Sequence, residues 1–163
     1  MAKKLTEKGA IRILESFKEL CKNHSTDIDF TDGVKSLARG VLYLASEERN
    51  ANYVSEEALK LWDNNPTTLK VTSLRNLTVS KQRSNKKKYP FLKQLILEHV
   101  NPLSVLVEKI FDNNDDISKI IKNELVTCWI IDKENSKLKE KRWDKERPEG
   151  WEKCYKECGI NFL

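Results

Sequence analysis

The sequence predicts an α+β fold: a helical N-terminal region, residues 1–66, packed on a small strand–strand–helix core within residues 67–163, the two forming one compact domain. Three features carry that expectation. Apolar residues recur at helical spacing through the first 65 positions. Two apolar runs of strand type follow, Leu95–Val100 and Leu125–Ile131. A polar helix start, Asp132-Lys133-Glu134-Asn135-Ser136-Lys137, comes directly after the second run.

Residues 6–22 predict the first helix, with Thr6 as its cap and Ala10, Ile13, Leu14, Phe17, Leu20 and Cys21 as one apolar stripe. Asn23 to Asp27 reads as a loop, with His24 exposed among polar residues. A second helix is expected from Thr31-Asp32, burying Val34, Leu37, Ala38, Val41, Leu42 and Ala45. Ser46 to Asn52 is turn-like, and Ser55-Glu56-Glu57 opens a third helix that Asn64-Asn65-Pro66 ends. Residues 69–79 fit neither period cleanly and suggest a short strand near Leu77-Thr78-Val79. Beyond the first strand, Asn101 is expected to cap a helix through Phe111, with Pro102 at its first position. Asp112 to Asp116 superficially resembles a calcium loop but lacks its glycine and terminal glutamate, so it reads as a cap for a short helix, Ile117 to Lys122. A helix from about Lys133 to Lys141, a proline-led turn at Pro148 and a last helix stopped by Gly159 complete the chain.

Hydrophobic residues make up 39% and charged residues 34% of 163 positions, the balance of a folded globular chain rather than a disordered one. No apolar run approaches the roughly 20 residues of a membrane span, and Met1 to Thr6 lacks the pattern of a secretory signal, so cytoplasmic residence is the expectation. Cys21 and Cys128 occupy ordinary places for buried thiols, and Cys154 and Cys158 lack the spacing of a zinc knuckle. Net charge is +5, and the excess is local. Residues 81–88 carry five positive charges, on Lys81, Arg83, Lys86, Lys87 and Lys88, and no negative one. A segment of this kind contacts phosphates or is a solvated loop.

Leu95 to Val100 delivers a carboxylate and an imidazole side by side, Glu98 and His99, and His99 is one of only two histidines. Metal-dependent phosphodiester cleavage needs a base, ligands for a divalent cation and a group that orients the base. His99 suits the base, because an unperturbed imidazole titrates near neutrality. Glu98, Glu134 and Asn135 are the candidate ligands, with Asp132 a further one, and Asn123 could orient the imidazole. A regular strand points Glu98 and His99 to opposite faces; a break at Asn101-Pro102 would let both serve one site. The bland alternative is a hydrogen-bonded structural histidine and solvated asparagines. Trp62, Trp129 and Trp151 read as packing residues, and Trp143, between Arg142 and Lys145, as the aromatic to test for nucleic-acid contact.

Glu98-His99-Val100-Asn101-Pro102 resembles the opening Asp/Glu-His-x-x-Pro element of the HNH (ββα-metal) endonucleases. Asn123 to Cys128 is similar to the middle Asn-Leu-x-x-Leu-Cys element, and Asp132 to Lys137 to the final helix with its histidine or asparagine ligand followed by lysine. The resemblance covers roughly a quarter of the chain. It implies a ββα-metal-like core in which Glu98 and Asn135 hold Mg2+ or Mn2+, His99 is the general base and Asn123 its orienter. Departures from the pattern are a helix in place of the glycine-rich connector, no zinc-knuckle cysteine pairs, and Glu134 as an alternative ligand.

The leading expectation is therefore divalent-metal-dependent cleavage of DNA, in restriction or phage defence, with Lys81, Arg83, Lys86, Lys87, Lys88 and Lys137 on the nucleic acid. Its rival is a non-catalytic module that binds nucleic acid or docks on another protein as a small inhibitor, for example a small phage or anti-defence protein. Partners beyond nucleic acid would be a second copy of the chain or another protein, with no membrane. A zinc-stabilised module built on Cys154 and Cys158 ranks below both.

Overall fold

The structure, a computed structural model, describes residues 5–47, 49–113 and 115–163. Helix α1 spans Glu7–Asn23, and the Gly9 amide donates to Thr6 Oγ1 at 3.1 Å, the cap the sequence suggests. Helix α2 spans Ile28–Glu47 and starts earlier than Thr31, because Asp27 Oδ1 accepts from the Phe30 amide at 3.0 Å. Ser46, expected in a turn, is a buried residue of its last turn. Strand β1 (Tyr53–Val54) leads into α3 (Glu56–Asp63), which Ser55 caps through the Ala58 amide.

The strand expected at 77–79 is not there. A 3₁₀ turn, Leu74–Asn76, precedes Thr78, whose hydroxyl caps helix α4 (Val79–Asn85), and residues 81–85 of the basic run are helical. A second 3₁₀ segment, Pro90–Gln94, feeds β2 (Leu95–His99). Asn101 does not cap helix α5 (Leu103–Phe111); its amide donates instead to the Glu124 carbonyl at 2.9 Å and ties the end of β2 to the turn before the third strand. Asn114 of the expected loop lies outside the described residues, while Asp116 accepts from the Ser118 and Lys119 amides to start α6 (Ile117–Lys119). A π-helical turn, Ile120–Glu124, leads to β3 (Thr127–Ile131), α7 (Asp132–Glu140) and α8 (Trp151–Glu157). Gly159, at φ +68, takes the left-handed conformation that ends α8.

The architecture is α+β. One sheet of order β1-β3-β2 pairs β1 parallel and β2 antiparallel to β3, with Leu95 opposite Ile131 and His99 opposite Thr127. Three apolar clusters surround it. Leu14, Leu42, Leu106 and Ile110 hold α1, α2 and α5 together. Leu74, Leu77, Leu92 and Trp129 fill the space under α3 and α4 on one face, where the Trp129 indole donates to the Leu77 carbonyl at 3.1 Å. Cys128, Ile130, Leu138 and Tyr155 pack α7 and α8 on the other. Segments from both sides of residue 66 share the first two clusters and the sheet. No helix of the described residues is long and apolar enough to cross a membrane.

Candidate functional site

His99 ends β2 on the face toward α2. Ser46 Oγ donates to the Tyr43 carbonyl at 2.7 Å and lies 2.8 Å from His99 Nε2. A hydroxyl has one proton, so with that proton on the carbonyl it is the imidazole Nε2–H that donates to Ser46. Burial, with no carboxylate to oppose it, lowers the His99 pKa to about 4. The ring is therefore a neutral donor at physiological pH, held by the hydroxyl and by the Tyr43 ring 5.9 Å away. Ser46 itself is wholly buried, so its hydroxyl is closed to any substrate.

Glu98, the preceding residue, projects to the opposite face, as strand geometry requires. Its Oε1 accepts from Arg147 Nη2 at 3.0 Å, and the same guanidinium lies over the Tyr155 ring. Burial raises the Glu98 pKa, with Arg147 opposing and Asp144 adding to the rise. Glu98 and His99 do reach the rim of one shallow recess, shared with Arg39, Asp144 and Lys145.

The other expected ligands are elsewhere. Antiparallel pairing sets Ile131 beside Leu95, so α7 begins at the end of the sheet away from His99, roughly 13 Å along the strand. Glu134 is buried there, its Oε2 accepting from Ser55 Oγ at 2.6 Å and from the Ile131 amide at 2.9 Å, which makes it the cap of α7. Burial raises its pKa, and the hydroxyl and amide oppose that rise. Asn135 is buried beside it, and Asp132 is exposed at the first position of the helix. Asn123 is exposed in the π-helical turn, and the residue that fixes the end of β2 is Asn101. Glu98 and His99 thus share a rim, while Glu134, Asn135 and Asn123 do not join them. The described residues contain no group of three or more His, Cys, Asp or Glu side chains able to hold a metal ion.

The basic residues fare differently. Lys137 is engaged, donating to the Cys158 carbonyl at 2.9 Å at the end of α8. Lys81, Lys86, Lys87 and Lys88 are exposed along α4 and the turn after it, and Lys93 joins them from the 3₁₀ segment. None of the five pairs with a carboxylate among the described residues. Arg83 lies 2.7 Å from Glu47 Oε1 and donates to the Tyr43 hydroxyl at 2.9 Å, which joins α4 to α2. Gln82 fixes the lobe from within, donating to the Leu92 and Leu95 carbonyls at 2.8 and 2.6 Å. Arg83, Lys86 and Lys93 line a groove between α4 and β2.

Lys93 and the extent of this lobe escape a scan of short charge runs. The signal is the longer absence of acids. Residues 64–97 contain eight Lys and Arg and no Asp or Glu, leaving 22 cations against 25 carboxylates elsewhere, an excess of three negative charges. Trp143 is half-buried with the Lys141 ammonium 4.4 Å over its ring, an intramolecular use of that aromatic face. Comparison of the chain with family models, with curated proteins and with solved structures returns no match.

Proposed function

We propose that the chain is a nucleic-acid-binding module that holds duplex DNA by its phosphates through the lobe built from residues 64–97. The observation that carries this reading is the segregation of charge. Eight cations without one acid fold over a single apolar cluster, while the remainder of the chain is net acidic. A one-signed surface on a rigid frame attracts a polyanion and releases its counterions, whereas interspersed charges would not. Lys81, Lys86, Lys87, Lys88 and Lys93 are the phosphate contacts, and lysine suits them as a point charge that makes no demand on base sequence.

The aromatic residues point to duplex rather than single strand. Single-strand binders stack bases on exposed rings. Tyr89 has its hydroxyl 2.6 Å from Thr68 Oγ1 and its ring under the Lys88 ammonium, Phe91 is buried, and the groove beside Lys86 and Lys93 carries the single ring of Tyr43, tied by its hydroxyl to Arg83, rather than a row of stacking platforms. Metal-dependent cleavage, the activity the endonuclease resemblance implies, would require Glu134 to leave its capping contacts and Glu98 to leave Arg147. The geometry supports binding better.

Fluorescence anisotropy of a labelled duplex at low ionic strength tests the reading. The protein should bind without added metal, and replacing Lys86, Lys87 and Lys88 by glutamate should abolish binding. No association of the wild type at low salt would overturn it. Incubation of plasmid with Mg2+ or Mn2+ separates the rival: equal plasmid integrity with wild type and His99→Ala supports binding alone, and nicking lost only in His99→Ala would install the enzyme instead.

A further inference from the structure

The sheet has an edge that the chain leaves open. Asn52 and Ser55 donate to the Thr127 and Trp129 carbonyls, so Thr127 and Trp129 turn their backbone groups toward β1, and Cys128 and Ile130 turn theirs toward β2. Val100, donating to the Val126 carbonyl, keeps the same alternation across the antiparallel pair. Ile96 and Glu98 therefore bond to β3, while Leu95, Leu97 and His99 turn their backbone groups outward. Leu95 is satisfied there, its amide donating to the Leu92 carbonyl and its own carbonyl accepting from Gln82. The N–H and C=O of Leu97 and of His99 have no hydrogen-bond partner among the described residues. A sheet edge in this state is a template for another strand.

We infer that β2 receives an extended acidic segment of a partner protein, which adds antiparallel as a fourth strand. Donors and acceptors together on Leu97 and His99 match a polypeptide backbone, whereas a phosphate only accepts and leaves both carbonyls unmet. Ile96 and Leu97, half-buried and pointing to opposite faces of the sheet, both line the groove beside α4, so that groove straddles the edge. An apolar side chain opposite Leu97 enters it between Val79 and Leu95.

Charge identifies the partner as acidic. Lys86 and Lys93 stand at the Leu95 end of the edge, and Arg39 and Lys145 line the recess beside His99. All four are exposed, and none pairs with a carboxylate among the described residues. Of the nearby carboxylates, Glu47 is held by Arg83 and Glu98 by Arg147, which leaves Asp144 alone against the four cations. The same cations oppose β2 of a second copy, as exposed lysines guard open strands against self-pairing.

The inference does not rest on duplex binding, and its test contains no nucleic acid. Isotope-labelled protein is titrated with the end-blocked peptide Glu-Glu-Val-Thr-Val-Glu-Glu and followed by amide NMR. The Leu97 and His99 amides should shift most and exchange more slowly with solvent. N-methylation of both valines, whose N–H groups face β2 when a valine lies opposite Leu97, should weaken binding about tenfold or more. N-methylation of the threonine, whose N–H faces away, should leave it unchanged. Lys86→Glu with Lys93→Glu, both at exposed positions, should weaken binding while the melting temperature holds. No shift at Leu97 and His99, equal binding of the two methylated peptides, or binding unchanged by the charge reversals would overturn the inference. So would Leu97 and His99 signals that move with protein concentration alone, which would give the edge to a second copy.

Discussion

Replacing His99 by glutamine should remove a pH dependence of stability that the wild type possesses. In the folded chain the imidazole titrates at about 4, against an unfolded value near 6.5, because burial disfavours its cation. The unfolded state therefore binds more protons between those two values, and stability rises with pH across that window and is lost as pH falls through it. Integrating the two titrations gives a loss of about 2 kcal/mol between pH 7 and pH 5, and about 3 kcal/mol by pH 4. Glutamine keeps a donor for Ser46 near the position of Nε2 but has no proton to gain. The assay is urea unfolding of both proteins at pH 7, 6 and 5, taking the difference of their stabilities so that carboxylate contributions cancel. That difference should narrow, or change sign, by about 2 kcal/mol in favour of the variant as pH falls to 5. A difference that stays constant with pH would show that His99 titrates in the folded chain as it does in the unfolded one, and the buried neutral donor would be wrong.

The Arg147 side chain is 4% exposed and pairs with Glu98 on the α8 side of the sheet. Arg147→Met leaves that carboxylate unpaired and should cost about 3–5 kcal/mol, with Glu98→Gln added to it recovering part of the loss in the same urea titration. Ser55 both caps α3 and donates to Glu134. Ser55→Ala should destabilise by about 1–3 kcal/mol, with Ser55→Thr milder, as read by thermal unfolding.

Helix periodicity and cap chemistry made much of the fold legible. The stripe of α1 from Ala10 to Phe17 with Thr6, the start of α3 at Ser55 and the strands around Ile96 and Ile130 could be read from local residues, although Leu20 of the same stripe is exposed. Strand β1 could not, because two residues carry no period and its pairing with Cys128 and Trp129 is set by tertiary contact. The stretch 77–79 misleads because Leu77 and Val79 are apolar at strand spacing, yet Thr78 between them is a helix cap. Asn101 next to Pro102 has the composition of a cap, but a carbonyl brought near by the fold claims its amide. Glu98, His99 and Glu134 were singled out for what they carry, and all three are bound to neighbours: Arg147, Ser46 and Ser55. A sequence displays polar residues at strand and helix ends without saying which partner the fold supplies. Charge segregation, by contrast, needs no contact to be seen, only a window wide enough to include residues 64–97.

The most direct test of phosphate binding through that lobe is the salt dependence of duplex association. Each phosphate neutralised contributes about −0.9 to the slope of log Kobs against log salt. Contacts from five lysines predict a slope of about −4.5, and alanine at Lys86, Lys87 and Lys88 should bring it to about −2. Alanine at Lys8, Lys22 and Lys119, exposed lysines outside the lobe, removes the same charge and should leave the slope unchanged. Equal slopes for the two triple variants would contradict the account, because binding would then follow net charge and not the acid-free surface.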